Sequence, residues 1–379
     1  MMDSRLKFPF YIKFALISVG IFAFFFILYI GQQIILPIIY ATIIAILLNP
    51  LVNYLVKKKV NRLLAITISV VMVILFTIGL VYFISVRLSI FSETYPALKE
   101  KFNFTLNELI QWTSRYFNIR IYKINAWINE TQSAILSNMG GVIGQTISVI
   151  YSVIVIVILI PVYLFMILYY KDLLLEFVRK LFNTENHIAV FEVLTNSKKI
   201  IQSYLIGLLL EALIMAILNS VGLMILGIDY AIILGILGAL LNVIPYIGGV
   251  IAIVLPMIIA YVTKDSSTYA LLVFGTYLLI QFIDNHFIIP RIVASKVKIN
   301  ALVAVIVVLI GGAMWGVPGM FLSIPLTAIA KVIFDHIEPL KPWGFLLGNI
   351  VPSESKLKFD FILSQNFSLL MKEKVKDAL

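Results

Sequence analysis

From Phe14 to Val56 the chain runs for 43 residues without one Asp, Glu, Lys or Arg. Water cannot accommodate such a stretch, whereas a helix needs about 20 mostly apolar residues to cross the hydrocarbon core of a bilayer. The run is long enough for two crossings, and Gly31-Gln32-Gln33 supplies the turn between them. Arg5, Lys7 and Lys13 precede it as they would a secretory leader. No small-residue cleavage site follows, and a second apolar run begins at once, so the first helix reads as retained. Composition agrees across all 379 residues: 61% are apolar and 13% charged, against roughly 25% charged in soluble proteins. Lipid offers no hydrogen bonds, so the backbone has to satisfy itself, and helices do so within one segment.

Further spans follow the same reasoning. The third is Leu63 to Val86, and the fourth runs from about Val142 to Tyr170 with Pro161 as a kink. A fifth covers Ser203 to Leu226 and contains one carboxylate, Glu211. Then come an uncharged stretch, 230–263, a span from Thr268 to Ile289, and a last uncharged stretch, 299–330. Residues 87–141 mix charge with apolar residues at helical spacing (Leu98, Phe102, Leu106, Leu109, then Ile124, Ile128, Ile135), as amphipathic helices do. The expected organisation is three N-terminal spans (1–86), a helical extracytoplasmic insertion (87–141), a fourth span with a cytoplasmic connector (142–202), a transport core (203–335) and a cytoplasmic tail (336–379).

Basic residues near span ends set orientation. Arg5, Lys7 and Lys13 put the N-terminus inside, Lys57-Lys58-Lys59 and Arg62 return the chain inside, and residues 87–141 fall outside. If 230–263 were one crossing, Arg291, Lys296 and Lys298 would land outside, against the rule. If that stretch instead enters and leaves on one side, they fall inside. The run from Asn242 through Pro245 and Tyr246 to Gly248-Gly249 divides it into two short legs, and Gly311-Gly312-Ala313-Met314-Trp315-Gly316-Val317-Pro318-Gly319 divides the last stretch likewise. Each second leg carries a proline, Pro256 and Pro325. The expected fold is an all-α polytopic membrane protein with about six full spans and two broken hairpin segments, re-entrant or kinked. The hairpins belong to an inverted repeat, 200–263 against 268–335, and paired broken segments point to a transport site.

Within the repeat, Glu211 stands a third of the way into a span, where a carboxylate costs about 2.5–3.5 kcal/mol on insertion scales. It reads either as a proton or cation site or as a fixed interhelical hydrogen bond. Asn219, two turns on, extends the same face. Gln281, Asp284 and Asn285 share a helical face, as a polar lining or as a polar helix end at the headgroups. The tips contribute Asn242, Pro245, Tyr246, Gly248 and Gly249, and Gly311, Gly312, Trp315, Gly316, Pro318 and Gly319. Glycine and proline there let the backbone leave helical geometry and expose carbonyls and half-helix ends to a solute. Gly235, inside a leg, reads as a packing glycine that partly tolerates alanine-sized bulk.

Other chemistries are excluded. With no cysteine there is no disulfide or thiolate metal site, and His187, His286 and His336 offer no metal spacing. No Walker motif, nucleophile elbow, HExxH or Gly-rich dinucleotide fingerprint occurs, so neither an enzyme nor a cofactor is expected. The net charge of +10 sits in short clusters between apolar runs, which fits an anionic leaflet and not nucleic acid.

Residues 226–256, LGIDYAIILGILGALLNVIPYIGGVIAIVLP, resemble a hallmark of the autoinducer-2 exporter family of bacterial transporters. Residues 284–333, a D-N…P segment followed by a GG…GxxG…P stretch, resemble its second hallmark, and QSYLIGLLLEALI (202–214) matches more loosely. The likeness covers nearly the whole chain. It implies a secondary transporter of the inner membrane exporting a small polar solute of the autoinducer-2 kind, or a sodium (lithium)/proton antiporter. Ile206 and Leu208 stand where many members have a basic residue and a glutamine, and the common IPYIGP ends here in Gly249. These departures bear on substrate rather than fold. The expected partners are a small-molecule or cation substrate and the lipid bilayer, with a homo-oligomer left open. A membrane scaffold binding a partner through 87–141 is the competing class.

Overall fold

The computed structural model describes residues 9–117, 120–122, 158–245, 248–264, 266 and 268–349. Its helices are α1 (Phe10–Ile30), α2 (Gln32–Lys57), α3 (Arg62–Phe117), α4 (Ile158–Tyr169), α5 (Lys171–Lys180), α6 (His187–Ile225), α7 (Ala231–Asn242), α8 (Gly248–Thr263), α9 (Thr268–Val297), α10 (Ala301–His336) and α11 (Lys341–Leu347). Among the described residues the extended structure is a single bridge, Ile299 to Gly348. Several hydroxyls inside the spans close on their own helices. Thr42, Ser69, Thr77, Thr263, Thr276 and Thr327 each donate to the carbonyl four residues earlier, so these donors are satisfied without water.

Two helices run further than hydropathy alone indicates. α3 continues past Val86 to Phe117 as one helix of 56 residues, and α6 starts at His187 rather than Ser203. Charged residues mark where lipid ends, but Lys and Glu are good helix formers and do not end the helix. The fourth span is described only from Ile158; its large change of direction is the 67° corner between α4 and α5 at Tyr170, nine residues beyond Pro161. The remainder of the insertion, residues 123–141, and the tail from 350 lie outside the described residues.

α6 and α9 pack antiparallel. A Cβ on Gly207 would lie 2.6 Å from the Ile292 carbonyl, and one on Gly222 would lie 2.8 Å from Thr276 Cγ2, so numbering rises along one helix as it falls along the other. Apolar burial does not drive such contacts in lipid; close approach through small residues does. Each of these helices is followed by a hairpin. α7 (12 residues) and α8 (16 residues) are about 18 and 24 Å long, short of the roughly 30 Å core. They run antiparallel, with Gly238 against Ala252 and Gly248 against the Leu241 carbonyl.

α10 has enough residues to cross, yet it folds back on itself at Gly316 (φ 64°, ψ −146°). Gly311 and Gly319 touch backbone to backbone, and Ser323 Cβ lies 3.2 Å from where a Gly311 Cβ would stand. Residues twelve apart in a straight helix would be about 18 Å apart. Because α6 and α9 are antiparallel, the two hairpins start from opposite ends of the molecule. The chain therefore contains the expected pair of broken segments in an inverted repeat.

One end of the molecule is basic. Arg62 pairs with Asp172 at 2.6 Å, Lys171 meets Asn49, and Val297 packs with Ile201 and Tyr204. The residues flanking α10 sit at this end too: Asn300 N–H donates to Leu347 O, Asn349 N–H to Lys298 O, and His336 lies 3.6 Å from Glu192. Both legs of the second hairpin thus open to the basic end.

Candidate transport site

The first hairpin delivers Asn242 to a point between α6 and α9. Its Nδ2 donates to Asp284 Oδ2 at 2.9 Å and to Glu211 Oε1 at 3.4 Å. Asp284 is 0% exposed and Glu211 5%. One neutral amide therefore joins two buried carboxylates, 73 residues apart in sequence, because α6 and α9 run antiparallel. Gln281 stands beside them, its Nε2 3.5 Å from Asp284 Oδ2 and its Oε1 2.6 Å from a Cβ position on Gly249. Asp284 Oδ1 is buried without a hydrogen-bond partner.

Asp284 lies mid-helix rather than at a helix end, because α9 continues through Pro290 to Val297 in wide π turns. Proline has no N–H to close the normal i→i−4 bond, and the turn widens around the gap. The widening begins at Asp284 and carries Asn285 off the shared face; Asn285 is exposed while Gln281 stays with Asp284.

A second polar step lies two turns away on both helices. Asn219 Nδ2 and the Tyr277 hydroxyl each stand 3.2 Å from a Cβ position on Gly238, in the first leg of the hairpin. Asn219 Oδ1 and Tyr277 Oη are buried without partners. Tyr277 was invisible to motif reading, since a tyrosine in an apolar helix looks like packing; its spacing of seven residues before Asp284 was the signal. The two rungs, Glu211–Asp284 and Asn219–Tyr277, form a polar ladder lined on one side by α7 and the hairpin tip.

The other expected site residues are placed as follows. Pro245 is half-buried in the first tip, Gly248 is buried against Leu241, and Tyr246 lies outside the described residues. The second tip meets α1 and α2 instead: Trp315 Nε1 donates to Leu28 O at 3.1 Å and Tyr40 Oη to Pro318 O at 3.1 Å. Gly311 and Gly319 hold its legs together, and Gly312 packs on Met320. Gly235 departs from expectation, because a Cβ there would run into the Ser220 backbone, leaving no room even for alanine.

Two carboxylates converging on one amide repel each other as anions. A proton or a small cation between them removes that repulsion, and oxygen ligands suit hard cations. The neighbouring rung is neutral and offers both donors and acceptors, which suits hydroxyl or carbonyl groups. Residues 17–338 match the AI-2E family transporter description. The chain belongs to this family.

Its relatives are transport proteins by name. YrrI of Bacillus subtilis (strain 168), named as a candidate transport protein, is 32% identical over 133 residues, 35% of this chain and 37% of that one. YueF of the same organism, named likewise, is 25% identical over 238 residues, 61% and 63% of the two chains. The AI-2 transport protein TqsA of Escherichia coli (strain K12) is 34% identical over 126 residues, 33% of this chain and 36% of its own. These alignments span from about a third to just under two thirds of each relative's length. As a member of the AI-2E family with several apolar spans, the chain is a multi-pass membrane protein.

Proposed function

We propose that this protein is a secondary exporter of a small polar solute of the autoinducer-2 kind, driven by a proton or cation held at Glu211, Asn242 and Asp284. The observation that carries the reading is the pair of buried carboxylates sharing the Asn242 amide. The neutral rung at Asn219 and Tyr277 supports a hydroxylated solute beside the ion. The same carboxylate pair favours a second reading, a sodium (lithium)/proton antiporter without an organic substrate. Proteoliposomes distinguish the two. An imposed proton or sodium gradient that drives solute accumulation supports the exporter. Sodium- or lithium-dependent collapse of a pH gradient, indifferent to solute, supports the antiporter. If neither gradient moves solute or ion, the reading is wrong.

The basic end faces the cytoplasm of a bacterial inner membrane in this proposal, with both termini inside. Ser295 is exposed there, and the chain contains no cysteine. A Ser295→Cys variant is expected to resist a membrane-impermeant maleimide in intact cells and to react in inside-out vesicles. Labelling of intact cells would reverse the orientation.

A further inference from the structure

A second polar chamber lies at the basic end, far from the carboxylate pair, where α2, α4 and α5 meet. It encloses about 200 Å³ and is lined by Asn49, Asn53, Arg62, Lys171 and Asp172 beside apolar Val52, Val56 and Leu168. Asn49 is 95% buried, with 5% exposure. Its Oδ1 accepts from Lys171 Nζ at 3.0 Å, but its Nδ2 is a buried donor without a partner.

The charges around this donor do not balance. Asp172 is engaged by Arg62 at 2.6 Å, and the other Arg62 nitrogen reaches the Leu168 and Tyr169 carbonyls. Lys171 gives one of its three protons to Asn49. Burial, and then the nearby charge of Lys198, push its ammonium below the usual lysine range, with Arg62 adding to the effect and Asp172 opposing it. An unpartnered amide and an under-compensated ammonium therefore border the same cavity. Both are donors, and both are served by an anion.

The location narrows the anion. α4 turns by 67° into α5, whose Leu173, Leu174 and Phe177 are exposed while Arg179 and Lys180 close its end. An amphipathic helix with exposed apolar side chains and basic ends lies at headgroup depth. The cavity equals about six or seven waters of liquid volume, room for one phosphoryl group and its hydration.

We propose that this chamber is a binding site for a phosphate-type anion, with Asn49 Nδ2 and Lys171 Nζ as its donors. An acidic phospholipid headgroup and free phosphate share this chemistry, and the test separates them. Full-length protein in neutral detergent is titrated with phosphatidylglycerol, phosphatidylcholine or inorganic phosphate, and bound species are counted by native mass spectrometry. Either phosphatidylglycerol binds in preference to phosphatidylcholine, giving the lipid as source, or inorganic phosphate binds and competes, giving the free anion.

In both cases Lys171→Gln is expected to weaken binding on the order of tenfold. Asn49→Asp keeps the shape and the Lys171 contact, so folding is retained, yet it replaces the free donor with a negative charge and is expected to weaken binding at least as much. Lys180→Gln, on α5 but away from the chamber, is expected to bind as the parent does. Unchanged binding in both Lys171→Gln and Asn49→Asp, or equal losses in Lys180→Gln, would overturn the site.

Discussion

Neutralising Asp284 as asparagine is expected to reduce coupled transport by about a hundredfold, and Glu211→Gln by a similar factor. Both substitutions preserve volume and leave an amide where a carboxylate stood, so Asn242 keeps an oxygen to donate to. What disappears is a charge in contact with the transported ion. A hydrogen bond or contact to a charged group contributes about 1.5–3 kcal/mol, and a tenfold factor corresponds to about 1.4 kcal/mol. Because a neutral amide is cheaper to bury in a bilayer than a carboxylate, folding and membrane insertion are expected to be unaffected or improved.

The two substitutions should not add. Each leaves one carboxylate with the same amide, and residues sharing a partner couple strongly. The double variant is therefore expected to lose little beyond either single one. Flux measured against pH carries the discriminating readout: loss of pH dependence in both variants with retained solute binding marks an ion site. Transport with parental pH dependence would make the pair a structural hydrogen bond and refute the coupling role.

How much of this was legible in sequence depends on what sets each feature. The spans were readable because lipid imposes a composition, as in Phe14 to Val56. The hairpins were readable because reversing a chain inside a bilayer demands glycine and proline at the tip. Helix ends in water were not, since α3 and α6 extend through charged residues that favour helix as much as the apolar ones do.

The carboxylate pair was half legible. Glu211 stood out as a cost, but Asp284 looked equally like a helix end, and only the continuation of α9 through Pro290 buries it. Their meeting depends on the antiparallel register of α6 and α9, which Gly207 and Gly222 fix by contacts across 85 and 54 residues of sequence, to Ile292 and Thr276. No local pattern encodes such a register. Gly235 shows the same limit: from sequence it is a glycine in a helix, and in the fold it is where Ser220 presses against α7.

Gly248→Ala is expected to cost transport on the order of a hundredfold while Gly275→Ala is nearly silent. A Cβ at Gly248 would overlap the Leu241 carbonyl and stand 2.8 Å from Asn242 Cα. Those are backbone atoms, which cannot swing aside as a side-chain end can, so the tip itself has to move. Its movement displaces Asn242, whose 2.9 Å and 3.4 Å contacts tie the two carboxylates together. A misplacement of about 1 Å at such a site is worth roughly a factor of 100.

Gly316 fails differently. Nothing crowds its Cβ position, but φ of 64° with ψ of −146° belongs to glycine alone, so alanine there strains the second hairpin by about 1–3 kcal/mol. That strain is expected to lower the thermal midpoint of Gly316→Ala in detergent. Gly248→Ala is expected to hit flux first. Gly275 has open space around it and an ordinary helical backbone, so alanine there removes a flexible residue without a clash. All three variants are compared by flux in proteoliposomes after a monodisperse elution peak confirms folding. Parental flux in Gly248→Ala would detach the first hairpin tip from the transport site, and an equal loss in Gly275→Ala would show that the tip's geometry has no special part in transport.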